Sequence, residues 1–177
     1  MNLNDDDDDD SGTILRVAIA DDHKLLADAV SSMLGGDEGF ETSCCYDLES
    51  LLKLLGRDKF DIVLLDLRMP GMSGLDSVAQ VVRAARDGHV VLFTGQVDRH
   101  VLDKAIELGV RGLIAKTMPL RSLGSIIELI CSGQIFVPVG ADFPGSMTDV
   151  ENKHGLTDKE LYVLRRAANG MTNKEIA

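Results

Sequence analysis

The sequence predicts an α/β fold: an open, doubly wound, five-stranded parallel sheet in the order 2-1-3-4-5. Three observations carry that reading. Short apolar runs alternate five times with helical patterns of ten to fifteen residues, the mark of parallel βαβ units. The central runs are apolar along their whole length, so both faces of the sheet must be covered. Right-handed crossovers then leave few topologies for five units, of which 2-1-3-4-5 is the natural one at this size.

The elements follow in order. "ILRVAIA" (14–20) reads as the first strand, and "HKLLADAVSSML" as a helix with Leu26, Ala29, Val30, Met33 and Leu34 at helical spacing, stopped by Gly35-Gly36. "FETSCC" is a weaker strand, and "LESLLKLL" a short helix with Leu48, Leu51, Leu52 and Leu55 on one face. Strand "DIVLLD" and helix "GLDSVAQVVRAAR" come next. They are followed by strand "HVVLFT", helix "RHVLDKAIEL", strand "GLIAK" and helix "LRSLGSIIELI", which Gly133 ends. Residues 134–155 have no sustained period and read as a linker.

Residues 156–177 carry a second kind of signal. Thr157 and Glu160 form a capping box with Leu156 and Leu161 as its hydrophobic staple; Thr172 and Glu175 repeat the box with Met171 and Ile176. Gly170 suits the C′ position between the two helices. This is the opening of a helix-turn-helix whose second helix has barely begun at Ala177, so an incomplete motif is expected.

Composition narrows the classes. At 177 residues the chain suits one ordinary domain plus a fragment of another, and 45% hydrophobic residues promise a packed core. No apolar run spans a bilayer and no basic start precedes one, so a cytoplasmic protein with no membrane partner is expected. Three cysteines without CxxC spacing read as reduced core thiols. The run Asp5–Asp10 contributes to a net charge of −11; residues 1–13 should be a disordered acidic tail, and the charge argues against nucleic-acid binding through bulk electrostatics.

The chemistry gathers at one edge. Strand one ends in Asp21-Asp22, strand three in Asp66, strand four in Thr94 and strand five in Lys116. In an open parallel sheet those ends line the ligand crevice. Each acid alone reads as a cap or a solvated strand end, but together they place three carboxylates, a hydroxyl and an ammonium in one small volume. Carboxylates so close resist ionising together without a cation. Mg²⁺ fits, taking one or two carboxylates and keeping waters that a phosphate oxygen can replace. A carboxylate beside such a cation and a lysine suits acceptance of a phosphoryl group.

The motifs "IADDH", "LLDLRMPGMSGLD", "LFTG" and "GLIAK" make residues 14–133 resemble the flavodoxin-like receiver domain of a two-component response regulator. "LTDKELYVLRRAANGMTNKEIA" resembles the start of a LuxR/FixJ-type DNA-binding domain, as in the NarL/FixJ family. The resemblance implies Asp66 as phosphoacceptor from a sensor histidine kinase. It implies Asp22, Asp66 and the backbone carbonyl of Arg68 as Mg²⁺ ligands, with Asp21 orienting metal-bound water. Thr94 would turn to the phosphoryl group and Lys116 would pair with it. No enzyme is implied beyond self-catalysed phosphorylation and dephosphorylation. Phosphorylation would promote a homodimer through helix four, strand five and helix five, and DNA would be bound only by a version with a complete helix-turn-helix.

Three positions depart from the commonest pattern. Leu113 stands where most receivers carry the Tyr or Phe that moves with the threonine, Thr117 replaces a common proline, and Arg68 sits where phosphoryl lifetime is often tuned. His23 reads as a helix-start residue, since neutral imidazole suits softer metals than Mg²⁺. A haloacid-dehalogenase-type phosphatase would need an aspartate at position 68, and a nucleotide-binding fold would need glycines where "DDHK" stands. The remaining alternative is a stand-alone receiver acting by protein contacts without DNA.

Overall fold

A computed structural model describes residues 13–138. The acidic run and residues 156–177, expected to open a helix-turn-helix, lie outside the described residues. The strands are β1 (Leu15–Ala20), β2 (Phe40–Cys45), β3 (Ile62–Leu65), β4 (His89–Thr94) and β5 (Leu113–Ala115), all parallel, in the order β2-β1-β3-β4-β5. The helices are α1 (Lys24–Gly35), α2 (Leu48–Arg57), α3 (Leu75–Ala85), α4 (Arg99–Glu107) and α5 (Leu123–Cys131), the last preceded by a 3-10 turn over Leu120–Ser122. The fold class and strand order are those expected from the sequence.

Side-chain alternation along each strand builds two cores. Ala18, Ala20, Val63, Leu65, Val90, Leu92 and Leu113 face α2, α3 and α4, meeting Leu51, Leu55, Val81 and Leu102. Val17, Ile19, Ile62, Leu64, Val91, Phe93 and Ile114 face α1 and α5, meeting Val30, Leu34, Ile127 and Ile130. This is why the central strands read as unbroken apolar runs. Caps set two helix starts: Asp47 accepts from the Ser50 N–H at 2.7 Å, and Asp98 from the His100 N–H at 2.7 Å.

Two expectations need correction. In α1 the buried stripe is Ala27, Val30 and Leu34, whereas Ala29 is exposed. The helix begins at Lys24, and its apolar stripe is narrower than the apolar residues available. The stretch after Gly133 also does not begin as a free linker. Phe136 forms a parallel bridge with Gly112, donating its N–H to the Arg111 carbonyl at 3.0 Å and accepting the Leu113 N–H at 2.8 Å.

The thiols behave as core groups. Burial pushes both Cys45 and Cys131 up to about 11, and raises Cys44 as well. Since the thiolate is the reactive form, alkylation at pH 8 should run at least about tenfold slower on the native chain than after denaturation. Mass spectrometry of iodoacetamide-treated chain checks this; rapid labelling of native Cys45 would contradict it.

Candidate functional site

The strand order reverses between β1 and β3, and the polar residues collect at the carboxyl ends on either side of that point. Asp21 follows β1 and Asp66 follows β3, and the ladder carries both: the Asp21 N–H bonds to the Cys45 carbonyl at 3.0 Å, and the Asp66 N–H to the Ala20 carbonyl at 2.8 Å. Their side chains are nearly sealed, with Asp21 0% and Asp66 1% exposed. Thr94 ends β4 at 2% exposure, and its hydroxyl donates to the Gln96 carbonyl at 3.3 Å. Lys116 follows β5, its N–H bonded to the Thr94 carbonyl at 3.0 Å.

The loop after β3 is held to α2. The Leu48 N–H bonds to the Pro70 carbonyl at 3.0 Å, and Gly71 passes at φ 88° so close that a Cβ would stand 3.0 Å from that of Leu48. Only glycine takes that conformation without strain against so near a neighbour. Thus "MPG" fixes the path of the chain directly after Asp66.

The ammonium of Lys116 sits 2.8 Å from Oδ2 of both Asp66 and Asp21. Only towards Asp66 is it aligned as a hydrogen bond; Asp21 Oδ2 is buried with no aligned partner. The Asp21 contact is an ion pair at the same distance but with poorer alignment. Burial works against the Lys116 charge, but the hydrogen bonds and charges of Asp21 and Asp66 outweigh it and hold its pKa above the ordinary lysine value.

The remaining candidates are close by. Asp22 is exposed, and the His23 ring Nδ1 lies 3.0 Å from Asp22 Oδ1 and 3.1 Å from Asp21 Oδ1. The Arg68 N–H donates to Asp66 Oδ1 at 3.3 Å, while its side chain is exposed. Leu113 is buried one strand away from this cluster, paired in register with Leu92. The peptide before Thr117 is trans, as are all those of the described residues.

His23 was set aside in sequence as a helix-start residue. It does cap α1 by position, yet its ring also reaches both acids. Its adjacency to the acidic pair was the available signal. Ligand atoms of Asp21, Asp22, His23 and Asp66 all lie within 4.8 Å of one another. Two buried carboxylates, a third half-open one and a single lysine leave uncompensated negative charge, and Asp21 Oδ2 lacks an aligned donor. The carboxylate oxygens of Asp21, Asp22 and Asp66, with water access through Asp22, fit a hard divalent cation, for which the His23 nitrogen is the less suited donor.

A cavity of about 280 Å³ lies at the opposite edge of the sheet, by Arg16, Asp61 and His89. Arg16 there is already engaged, with Glu41 at 3.3 Å and the Lys59 carbonyl at 2.7 Å. None of its lining residues belongs to the acidic crevice.

Comparison with known proteins bears on the same residues. Positions 17–128 match the family described as response regulator receiver domain. The glycerol metabolism activator of Pseudomonas putida is 34% identical over 175 residues, spanning 92% of this chain and 79% of that protein. A LuxR family DNA-binding response regulator from Silicibacter pomeroyi aligns with TM-score 0.63 at 25% identity, over 72% of this chain and 100% of that one. A CheY-like receiver domain protein from Methanospirillum hungatei JF-1 shares the fold, with TM-score 0.63 at 20% identity over 69% and 97% of the two chains.

Proposed function

The chain belongs to the response regulator receiver family, and we propose that it takes a phosphoryl group from a sensor histidine kinase onto Asp66 and regulates transcription in response. The observation that carries this is the shared lysine. Asp66 is a buried carboxylate held by Lys116 at the point where the strand order reverses, and the same ammonium is shared with its buried neighbour Asp21, so one positive charge serves two sealed carboxylates.

The step is in-line displacement. An Asp66 oxygen attacks phosphorus, the bond to the donor's phosphohistidine nitrogen breaks, and that nitrogen keeps the bonding electron pair. Positioning and charge stabilisation do most of the catalytic work in such transfers. The Arg68 N–H steadies Asp66 Oδ1, and Lys116, fixed by Asp21 and by the β4 ladder, meets the incoming negative charge. Asp21, Asp22, Asp66 and the Arg68 carbonyl are the groups that would hold Mg²⁺, which supplies charge neutralisation to the phosphoryl oxygens. Thr94 would exchange its Gln96 carbonyl for a phosphoryl oxygen, at little cost because that bond is long. Self-catalysed gain and loss of the phosphoryl group is the only catalysis assigned. The output is assigned to the LuxR-type helix-turn-helix that residues 156–177 open, with DNA bound by a chain carrying the complete motif.

Among the described residues no helix is long and apolar enough to cross a membrane. Labelling by a small acyl phosphate in Mg²⁺ tests the chemistry. For signalling, phosphorylation should promote a homodimer through α4, β5 and α5, because Thr94 and Lys116 flank that face and a ligand shifts states only through contacts that differ between them. Leu113 fills less space than an aromatic, so the shift should be small, and Leu113→Tyr should enlarge it. Sedimentation with and without a phosphoryl mimic checks this; equal shifts in both proteins would contradict a role for position 113.

A further inference from the structure

Residues 135–137 lie beyond the positions matched to the family, yet Phe136 is bridged to the chain entering the edge strand. Phe136 forms an isolated bridge with Gly112, just before β5, through one backbone hydrogen bond from Leu113 and one to Arg111, and the strap straddles the sheet edge. Phe136 packs with the core under α1 and α5, whereas Val137 packs with the core that holds Leu113. Gly112 makes this approach possible: its φ is 144°, and a Cβ there would stand 1.9 Å from the Phe136 carbonyl oxygen.

We propose that this strap is a latch between the phosphorylation site and the chain leading to residues 156–177, and that phosphorylation loosens it. The inference rests on the receiver reading above. Leu113 joins the two ends: its N–H is the donor to Phe136, and its buried side chain shares a core with Val137. Thr94, on the neighbouring strand, pairs in register with Ala115. When the Thr94 hydroxyl turns to the phosphoryl group, it frees volume beside β5. A close-packed interior does not leave such space empty. Leu113 moves into it, which withdraws support from Val137 and turns the Leu113 N–H away from the Phe136 carbonyl. The strap is held by one bridge and two half-buried side chains, so it belongs to the low-stability end of the fold, where local opening is easiest.

Amide hydrogen exchange on the full 177-residue chain tests this. With Mg²⁺ and beryllium fluoride as phosphoryl mimic, the Leu113 and Phe136 amides should exchange about tenfold faster. Gly112→Ala should produce the same acceleration without the mimic, since its methyl group excludes the Phe136 carbonyl. Unchanged or slower exchange at both amides, in chain whose Asp66 carries the mimic, would overturn the latch. So would a folded Gly112→Ala protein with wild-type protection at Leu113. Failure of Asp66 to take the mimic would instead count against the receiver chemistry, leaving the Gly112→Ala arm to judge the strap.

Discussion

Asp66→Asn should abolish phosphoryl labelling of this chain by a small acyl phosphate. Three carboxylates share the crevice, but their surroundings differ. Asp21 is fully buried with one oxygen against the His23 ring and the other against Lys116. Asp22 is exposed, and among the described residues its ion-pair partner is the His23 ring and not a lysine. Asp66 alone combines an aligned lysine hydrogen bond, a backbone N–H on its other oxygen and the position following β3. An amide at 66 keeps nearly the same shape but has no anionic oxygen to attack phosphorus, so the nucleophile is lost while the fold is kept. Intact mass after incubation with acetyl phosphate and Mg²⁺ should show one phosphoryl group on wild-type chain and none on Asp66→Asn. Chelation should suppress the wild-type signal, and Asp22→Asn should raise the Mg²⁺ concentration needed. Robust labelling of another residue in Asp66→Asn would remove Asp66 from its assigned role.

The sheet and its edge chemistry were legible because they rest on local pattern. Five apolar runs, each followed by a helical stripe, can be arranged in few ways, and the polar residue ending each run then falls on a known edge. What the sequence hid depends on three-dimensional distance. Nothing in "GLIAK" says that Lys116 reaches Asp21 as well as Asp66, since that needs the side chain's actual path across two strands. The α1 stripe was misassigned at Ala29 because alanine is tolerated on either side of a helix and marks neither. The strap was missed because "QIFVPV" is too short to show a period, although Ile135, Phe136 and Val137 form an apolar, β-prone triplet. His23 was judged by its metal preference and not by its reach.

Lys116→Ala should destabilise the metal-free chain by about 3 kcal/mol, the usual cost of removing one partner from a buried ion pair. The lysine side chain is only 14% exposed, and both its carboxylate partners are essentially sealed. Without the ammonium those carboxylates face each other with no counter-charge, and Asp21 Oδ2 already lacks an aligned donor. Two controls separate this charge effect from lost packing against Phe93, whose ring centre lies 5.9 Å from the Lys116 nitrogen. The double variant Lys116→Ala with Asp66→Asn should recover part of the loss, because one of the stranded charges is gone. Added Mg²⁺ should stabilise Lys116→Ala more than wild type, since the cation meets no competing ammonium, and binding to the folded state alone raises its stability. The pH dependence has a definite sign. The folded-state pKa of Lys116 is raised, so its contribution is fully present below the unfolded value of about 10.4 and is lost as pH rises through the higher folded value. The gap between wild type and Lys116→Ala should therefore stay level through pH 7–9, a range chosen well below that value of about 10.4, and close only in more alkaline solution. Urea titrations of the four proteins (wild type, both single variants and the double) measure it directly. Wild-type stability of Lys116→Ala in metal-free buffer at pH 7 would show that the lysine does not hold these two acids together.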